Sequence, residues 1–320
     1  MAAPESKLTL ELDGDAIAAA AARAVPTTPT LPALPTLRTL GDADPRAWMR
    51  GQVWAFDAER IDGLVPLARS AWGDDDDEAF DARAAAPLVV VPLHGFLMRK
   101  ASGLAALFGA RGLCDFQDTL AAIAQAPNVK HVVLDIDSGG GSVYGVHETW
   151  AAVRALSQVK SVTAVISGLA ASGGYWIASA ASRLLITPSG EAGSIGVFGV
   201  HADWSGFWAD KGVRHTIVSA GRFKTEATDL APLTKDAQAA MQRRVDAHYA
   251  RFIGDVAAAR GVSTDAVRQG FGEGRVLAAD DAKSAGLVDG IQTMDATLAA
   301  ITDQLTDQAR RSELQRLRSV

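Results

Sequence analysis

Three kinds of residue in this 320-residue chain could do chemistry together: a serine among small residues, a run of three glycines, and a lysine in a glycine-containing loop. The serine is Ser172, in "SGLAASGGYWIASAASR" (167–183). A serine hydroxyl is a nucleophile only if a base takes its proton and donors hold the oxyanion that its attack creates. "SVTAVIS" reads as a strand running into a small-residue turn, and a helix opens just after Ser172. That places the hydroxyl at the positive end of a helix, with the Gly173 amide free to donate. Serine is also a favoured helix N-cap, so both roles stand at this point.

"LDIDSGGGSVYG" (134–145) ends a strand in three glycines, whose backbone can approach a substrate and turn amides into a cleft. A flexible turn is the simpler reading. A phosphate loop fails on spacing, because neither glycine pattern of the nucleotide-binding loops can be written through these residues. For a base there are six histidines, at 94, 131, 147, 201, 215 and 248, which read mostly as surface or packing residues. Lys224, in "SAGRFKTEATDL", lies in a loop after an apolar run beside Phe223. A lysine acts as a base once burial lowers its pKa towards neutrality, whereas taken alone this one reads as a solvated surface charge. "SQVK" (157–160) has the S-x-x-K spacing of penicillin-recognising enzymes. It is discounted because its serine falls at a helix end and the companion motifs are missing.

From Pro87 onward, short β-branched runs alternate with helical stretches. "LVVVPLHGFL", "HVVLDID", "SVTAVIS", "RLLITPS", "GVFGVHADW" and "HTIVSA" are expected strands, and helices are expected near 115–126, 144–157, 173–181 and 205–211. This order predicts β-α units and a largely parallel α/β sheet. A long helix from Thr234 to about Arg260 ends at Gly261, with Met241, Val245, Phe252 and Val256 on one face. A last amphipathic helix near 294–317 carries Leu298, Ile301 and Leu305. Before Pro87 the texture differs. A short helix in the first 25 residues, an extended proline-rich linker through "PTTPTLPALPTL", a partly helical tryptophan segment at 44–72 and a solvated "GDDDDE" loop are expected.

The net charge of −6 is uneven: residues 1–85 hold 15 acidic and 8 basic side chains, leaving the remainder at +1. No basic stripe speaks for nucleic acid. The lone Cys114 excludes an intrachain disulfide and a thiolate-built metal site, which suits a reducing compartment. No window approaches the roughly 20 apolar residues of a membrane span. The alanine run at 18–22 has neither a basic leader nor a long apolar core, so it is not read as a signal peptide. The expectation is a soluble, cytoplasmic protein.

In this order, "DSGGGSVYG", "AASGGYWIASAA", "GSIGV" and "GRFK" resemble the peptidase family S49, the signal peptide peptidase A-like enzymes. Within it the likeness is greater to the phage capsid maturation proteases of the lambda protein C type. "GRVLAADDAKSAGLVD" (274–289) is similar to the family's closing element, so the resemblance covers about Pro87–Asp289. It implies a Clp protease/crotonase-like β-β-α spiral with an N-terminal extension. The expected domains are an acidic, Pro-rich extension (1–85), a Ser-Lys peptidase domain (86–290) and a C-terminal helix (291–320). Position by position, it implies Ser172 as nucleophile, Lys224 as general base, Ser194 as the serine holding that lysine, and Gly140 and Gly173 as oxyanion donors. The family usually has proline before the paired glycines, where this chain has Gly139, which loosens the Gly140 loop.

The implied activity is a serine endopeptidase that needs no metal or nucleotide cofactor. Its expected substrates are scaffold, capsid or portal proteins, cleaved by a homo-oligomer in the host cytoplasm or prohead, with no nucleic acid and no membrane span. The chain stops soon after the catalytic region, so any scaffold is expected as a separate protein. The dyad can close within one protomer or across two. Competing expectations are signal-peptide-peptidase-like degradation of small peptides, a crotonase-type acyl-CoA enzyme, and an assembly factor that keeps the fold without the chemistry.

Overall fold

The computed structural model describes residues 53–56, 86–101, 105 and 109–319. The N-terminal helix, the proline-rich linker, the "GDDDDE" loop and the packing of Trp48 and Trp72 lie outside the described residues.

In chain order the described strands are β1 (Val53–Phe56), β2 (Leu88–Met98), β3 (Ala110–Gly112), β4 (His131–Ser142), β5 (Ser161–Ala171), β6 (Arg183–Ile186), β7 (Glu191–Gly193), β8 (Phe198–Gly199), β9 (Val276–Ala278) and β10 (Gly290–Ile291). The described helices are α1 (Leu113–Gln125), α2 (Val146–Val159), α3 (Gly173–Ala178), α4 (Ser205–Asp210), α5 (Lys235–Arg260), α6 (Thr264–Gly270), α7 (Ala279–Ser284) and α8 (Met294–Arg318). They build a mixed α/β body around one sheet, whose path β10-β6-β5-β4-β1-β8 carries side branches through β2–β3 and β7–β9. Most of its strand pairs are parallel.

The β-branched runs become central strands because helices cover both faces of the sheet, so consecutive residues are all apolar. Along β4, Val132 and Leu134 join the main core, while Val133 faces the other way, with Val165, Leu185 and Ile301. The main core takes Leu120 and Ile123 from α1, Val153 and Leu156 from α2, and Phe252 and Val256 from α5. The opposite face is closed by Leu298, Ile301 and Leu305 of α8.

Helix ends follow the sequence cues. The Thr234 side chain accepts from the Ala237 amide to start α5, and Gly261 ends it in the left-handed conformation, φ 66°. Thr293 caps α8 in the same way.

Two expectations fail. "HTIVSA" forms no strand: every residue from 211 to 224 is exposed and, among the described residues, no sheet edge meets it. "GVFGVHADW" gives only the two residues of β8. Of the tryptophan segment, expected to be partly helical, only 53–56 are described; they form strand β1, which pairs antiparallel with β4 and β8, and the remainder of 44–72 lies outside the described residues. Among the described residues no helix is long and apolar enough to cross a membrane.

Candidate active site

Ser172 stands where β5 ends and α3 begins. It has φ 52° and ψ −116°, a backbone that L-residues rarely adopt. The surroundings hold it there. Its amide donates to the Gly193 carbonyl (2.8 Å) and its own carbonyl accepts from the Trp176 amide (2.8 Å). The residue is fully buried among the described residues. Its side chain makes no capping bond, so the N-cap reading fails; the hydroxyl donates instead to the Gly196 carbonyl at 3.3 Å. Helix α3 has only 6 residues, so what favours an anion here is the Gly173 amide, first in the helix and without an intrahelical partner, more than an accumulated dipole.

Packing fixes that short helix. Trp176 stacks on Phe252 of α5, with centroids 4.4 Å apart and planes within 5°. Its Nε1 donates to Asp255 Oδ2 (2.8 Å), which also meets His147 Nδ1 at 2.6 Å. The buried Tyr175 hydroxyl donates to the Leu287 carbonyl (2.9 Å), and burial pushes this phenol well above its ordinary pKa. Gly174 lies over β4 so closely that a Cβ would sit 2.7 Å from the Ser138 carbonyl oxygen, which only glycine allows.

Sheet register then brings the glycine run to the serine. Ser138 pairs with Ala170, two residues before Ser172, and is the last β4 residue paired with β5; Gly140 follows it by two residues. Gly140 has φ 92°, and its amide donates to Ser138 Oγ (3.1 Å), which in turn donates to the Gly95 carbonyl (2.6 Å). To hold an oxyanion, the Gly140 amide must exchange Ser138 for the substrate. On the other side, Gly193 of β7 pairs with Ala171, so Ser194 follows Gly193 past Ser172. Ser194 is 7% exposed with φ 51°, and its amide donates to the Arg275 carbonyl at 2.7 Å.

Ser172 thus has Gly173 next in the chain, Ser194 adjoining the Gly193 carbonyl that accepts its amide, and Gly140 two residues past the Ser138 that pairs with Ala170, while Lys224 stands outside this hydrogen-bonded set. Among the described residues the Lys224 ammonium makes no hydrogen bond to Ser172 or Ser194. The residue is exposed in a turn closed by its amide on the Gly221 carbonyl (3.1 Å). Nor does Phe223 shield it: that ring is 57% exposed and carries the Arg222 guanidinium 4.8 Å from its centroid. His201, the nearest of the six histidines downstream of Ser172, has its Nε2 2.9 Å from the Thr228 carbonyl, so it donates there. The "SQVK" motif is structural: Ser157 Oγ bonds the Val153 carbonyl, and Lys160 Nζ bonds the carbonyls of Ala126 and Val129.

Three contributors escaped the sequence reading. Ser138 lies inside the quoted glycine motif, but nothing in its spacing reveals that its hydroxyl engages Gly140. Gly196 acts through its carbonyl, which no side-chain pattern shows. Asp255 had a visible signal, an acid within the apolar stretch "FIGDVAAA" of α5.

Residues 154–307 match the sequence model of peptidase family S49, a span that includes Ser172, Ser194 and Lys224 and begins after the glycine run. The chain is 30% identical over 263 residues to the capsid assembly protease C of Escherichia phage lambda, covering 81% of this chain and 59% of that protein. It is also 30% identical to the head-tail preconnector protein GP5 of Enterobacteria phage P21, over 70% of this chain and 44% of that one. To protease 4 of Salmonella typhi it is 36% identical over 54% of this chain and 28% of that enzyme. The chain therefore spans less than two thirds of the length of each of these relatives.

Proposed function

This chain is a relative of peptidase family S49, and on that premise we propose that it is a serine endopeptidase working through Ser172 and Lys224. The observation that carries the reading is the Ser172 junction: a buried serine in a strained backbone, at the turn from strand to helix, whose hydroxyl caps nothing and which the first amide of α3, that of Gly173, directly follows. In the proposed reaction, Ser172 Oγ attacks a peptide carbonyl carbon as its proton passes to the neutral Lys224 amine. The Gly140 and Gly173 amides hold the tetrahedral oxyanion. Collapse expels the amine product, which takes the proton from Lys224. A water molecule deprotonated by Lys224 then hydrolyses the acyl-enzyme and frees Ser172. Ser194 orients the lysine amine.

This scheme needs Lys224 out of water, because an exposed ammonium keeps its proton. The arm that bears it supplies a reason for it to pack elsewhere: Val213, Ile217, Val218 and Phe223 are all exposed apolar side chains. A second copy of this chain is the partner we infer, its arm bringing Lys224 to the Ser172 of the first. The sheet, mostly parallel with helices on both faces, suits the Clp protease/crotonase-like spiral we assign to it. We take 86–290 as the peptidase domain, 1–85 as the extension and 291–320 as the C-terminal helix.

Because two relatives are named for capsid assembly and for a head-tail preconnector, the proposed substrates are phage head proteins: scaffold, capsid or portal. Cleavage would take place where heads assemble, in the host cytoplasm or the prohead. The test is to incubate the purified chain with phage scaffold and capsid proteins and follow products by mass spectrometry. Ser172-dependent cleavage supports the reading. Intact proteins together with turnover of an acyl-CoA thioester would replace it.

A further inference from the structure

Past Ser138, strand β4 loses β5 as its neighbour, because β5 turns into α3 at Ser172. The vacated edge is taken by β1, with Phe56 opposite Gly140, Ala55 opposite Gly141 and Trp54 opposite Ser142. The other edge of β1 pairs with β8, Trp54 opposite Phe198 and Val53 opposite Gly199. Both pairings are antiparallel. A strand from the N-terminal segment therefore lies in a slot with a main-chain edge on either side. Each wall is rooted in the candidate site: β4 carries Gly140, and β8 begins two residues after Gly196, whose carbonyl accepts the Ser172 hydroxyl.

Direction matters as much as position. β1 runs from the Ser142 level to the Gly140 level, so its chain advances towards Ser172 from the N-terminal side. The half of a peptide substrate that becomes the acyl group must travel the same way, its carbonyl arriving last at the serine. Two parallel walls that both accept an antiparallel strand recognise extended backbone by main-chain hydrogen bonds, largely independent of side chains. Left empty, the same walls would present two rows of unpaired amides and carbonyls.

We propose that the slot between β4 and β8 binds the acyl-side half of extended peptide substrates, and that the chain's own Val53–Phe56 fills it, holding the enzyme inhibited in cis. This rests on the peptidase reading above. Because the occupant is tethered, it competes at an effective concentration of order millimolar, so substrates must displace it or it must be drawn away. Its effect falls on substrate binding more than on the chemical step.

Ala55→Pro tests this, since proline removes a ladder amide and fits poorly between two paired edges. In a Ser172→Ala background, hydrogen exchange at 141–142 and 198–199 should be at least about tenfold faster with Ala55→Pro, the edges having lost their partner. With Ser172 intact, KM for an unstructured peptide should fall about tenfold and kcat change little. A second variant guards against misfolding: Trp54→Cys with Phe198→Cys can be oxidised to lock the strand in register. The oxidised form should be inactive relative to the same protein after reduction. Unchanged exchange, an unchanged KM, or full activity of the locked form would each overturn the proposal. If exchange quickens but no form shows Ser172-dependent hydrolysis, the peptidase reading itself falls and the inhibition with it. Activity with an unmoved KM removes only the inhibition.

Discussion

The corner around Ser172 and the arm at 211–224 are built on opposite terms. Ser172 is 0% exposed and held by backbone bonds to Gly193 and Trp176, beneath a tryptophan stacked on Phe252. On the arm, Val218 is 94% exposed and no regular structure forms between 213 and 219. One chain folds its proposed nucleophile to completion and leaves its proposed base in water. Positioning a nucleophile uses the core that the fold already needs. Desolvating a lysine requires packing that the described residues do not give the arm, so activity should be lost wherever that packing is lost, even with the corner intact.

Removing the hydroxyl is the harshest test of the corner. Ser172→Ala should lower peptide hydrolysis by about 10^4-fold or more while leaving the melting temperature nearly unchanged, because the side chain contributes one long hydrogen bond to the fold. Residual cleavage near the parent rate would move the chemistry away from this corner.

Next is the arm's cation. Lys224→Arg should cost about 10^3-fold or more in kcat despite keeping the charge, since guanidinium does not give up a proton. It should not affect thermal stability, because the residue is exposed. Mixing Ser172→Ala with Lys224→Ala copies sharpens the contrast: recovery of activity in the mixture places corner and arm in different chains, and none places them in one.

A smaller effect is expected from Val218→Asp. If the arm's apolar residues pack on a second copy, a buried charge there weakens assembly. The particle mass by light scattering should fall and activity should drop about tenfold at low protein concentration, with secondary structure unchanged. A variant of unchanged mass and rate would show that the arm's exposure has another cause.

The mildest prediction concerns the body that supports the corner. Burial pushes the Asp289 carboxyl up, but the hydrogen bonds from Arg260 (2.7 Å) and the Leu184 amide outweigh it and hold its pKa below the ordinary carboxylate value. A pKa depressed by folding adds stability above the unfolded value, near 3.9, and that stability is lost as pH falls through the folded value. Asp289→Asn should therefore lower the melting temperature at pH 7 by about 2–4 °C, a modest shift because the carboxylate is partly exposed. The difference from the parent should close below about pH 4.

What could be read in advance was what depends on local pattern. The β-branched runs of β2, β4, β5 and β6, the threonine and glycine that bound α5, and the stripe of α8 follow from residues within one element. Ser172 and the glycine run could be singled out because small residues at the end of a strand have few other uses. The failures share one cause, dependence on distant partners. "HTIVSA" has strand composition but no edge to join, whereas "VWAF" lies in a segment read as partly helical and becomes a strand because two edges wait for it. Strands β3, β7, β9 and β10 have only two or three residues each, too short for a period to show. The bond from Gly140 to Ser138 is set by the loop's turn, which composition does not encode.

The backbone at Ser172 also bears on how this protein can change over evolutionary time. A residue held at φ 52°, ψ −116° would be more comfortable as glycine, which reaches such angles without the steric cost, of order 1–3 kcal/mol, carried by a side chain. Mutation followed by selection for stability alone would thus push this codon towards glycine. A serine there is maintained against that drift only while its hydroxyl is used. A lineage that dropped the chemistry and kept the shape would be expected to replace Ser172 first, and to melt at a higher temperature once it had.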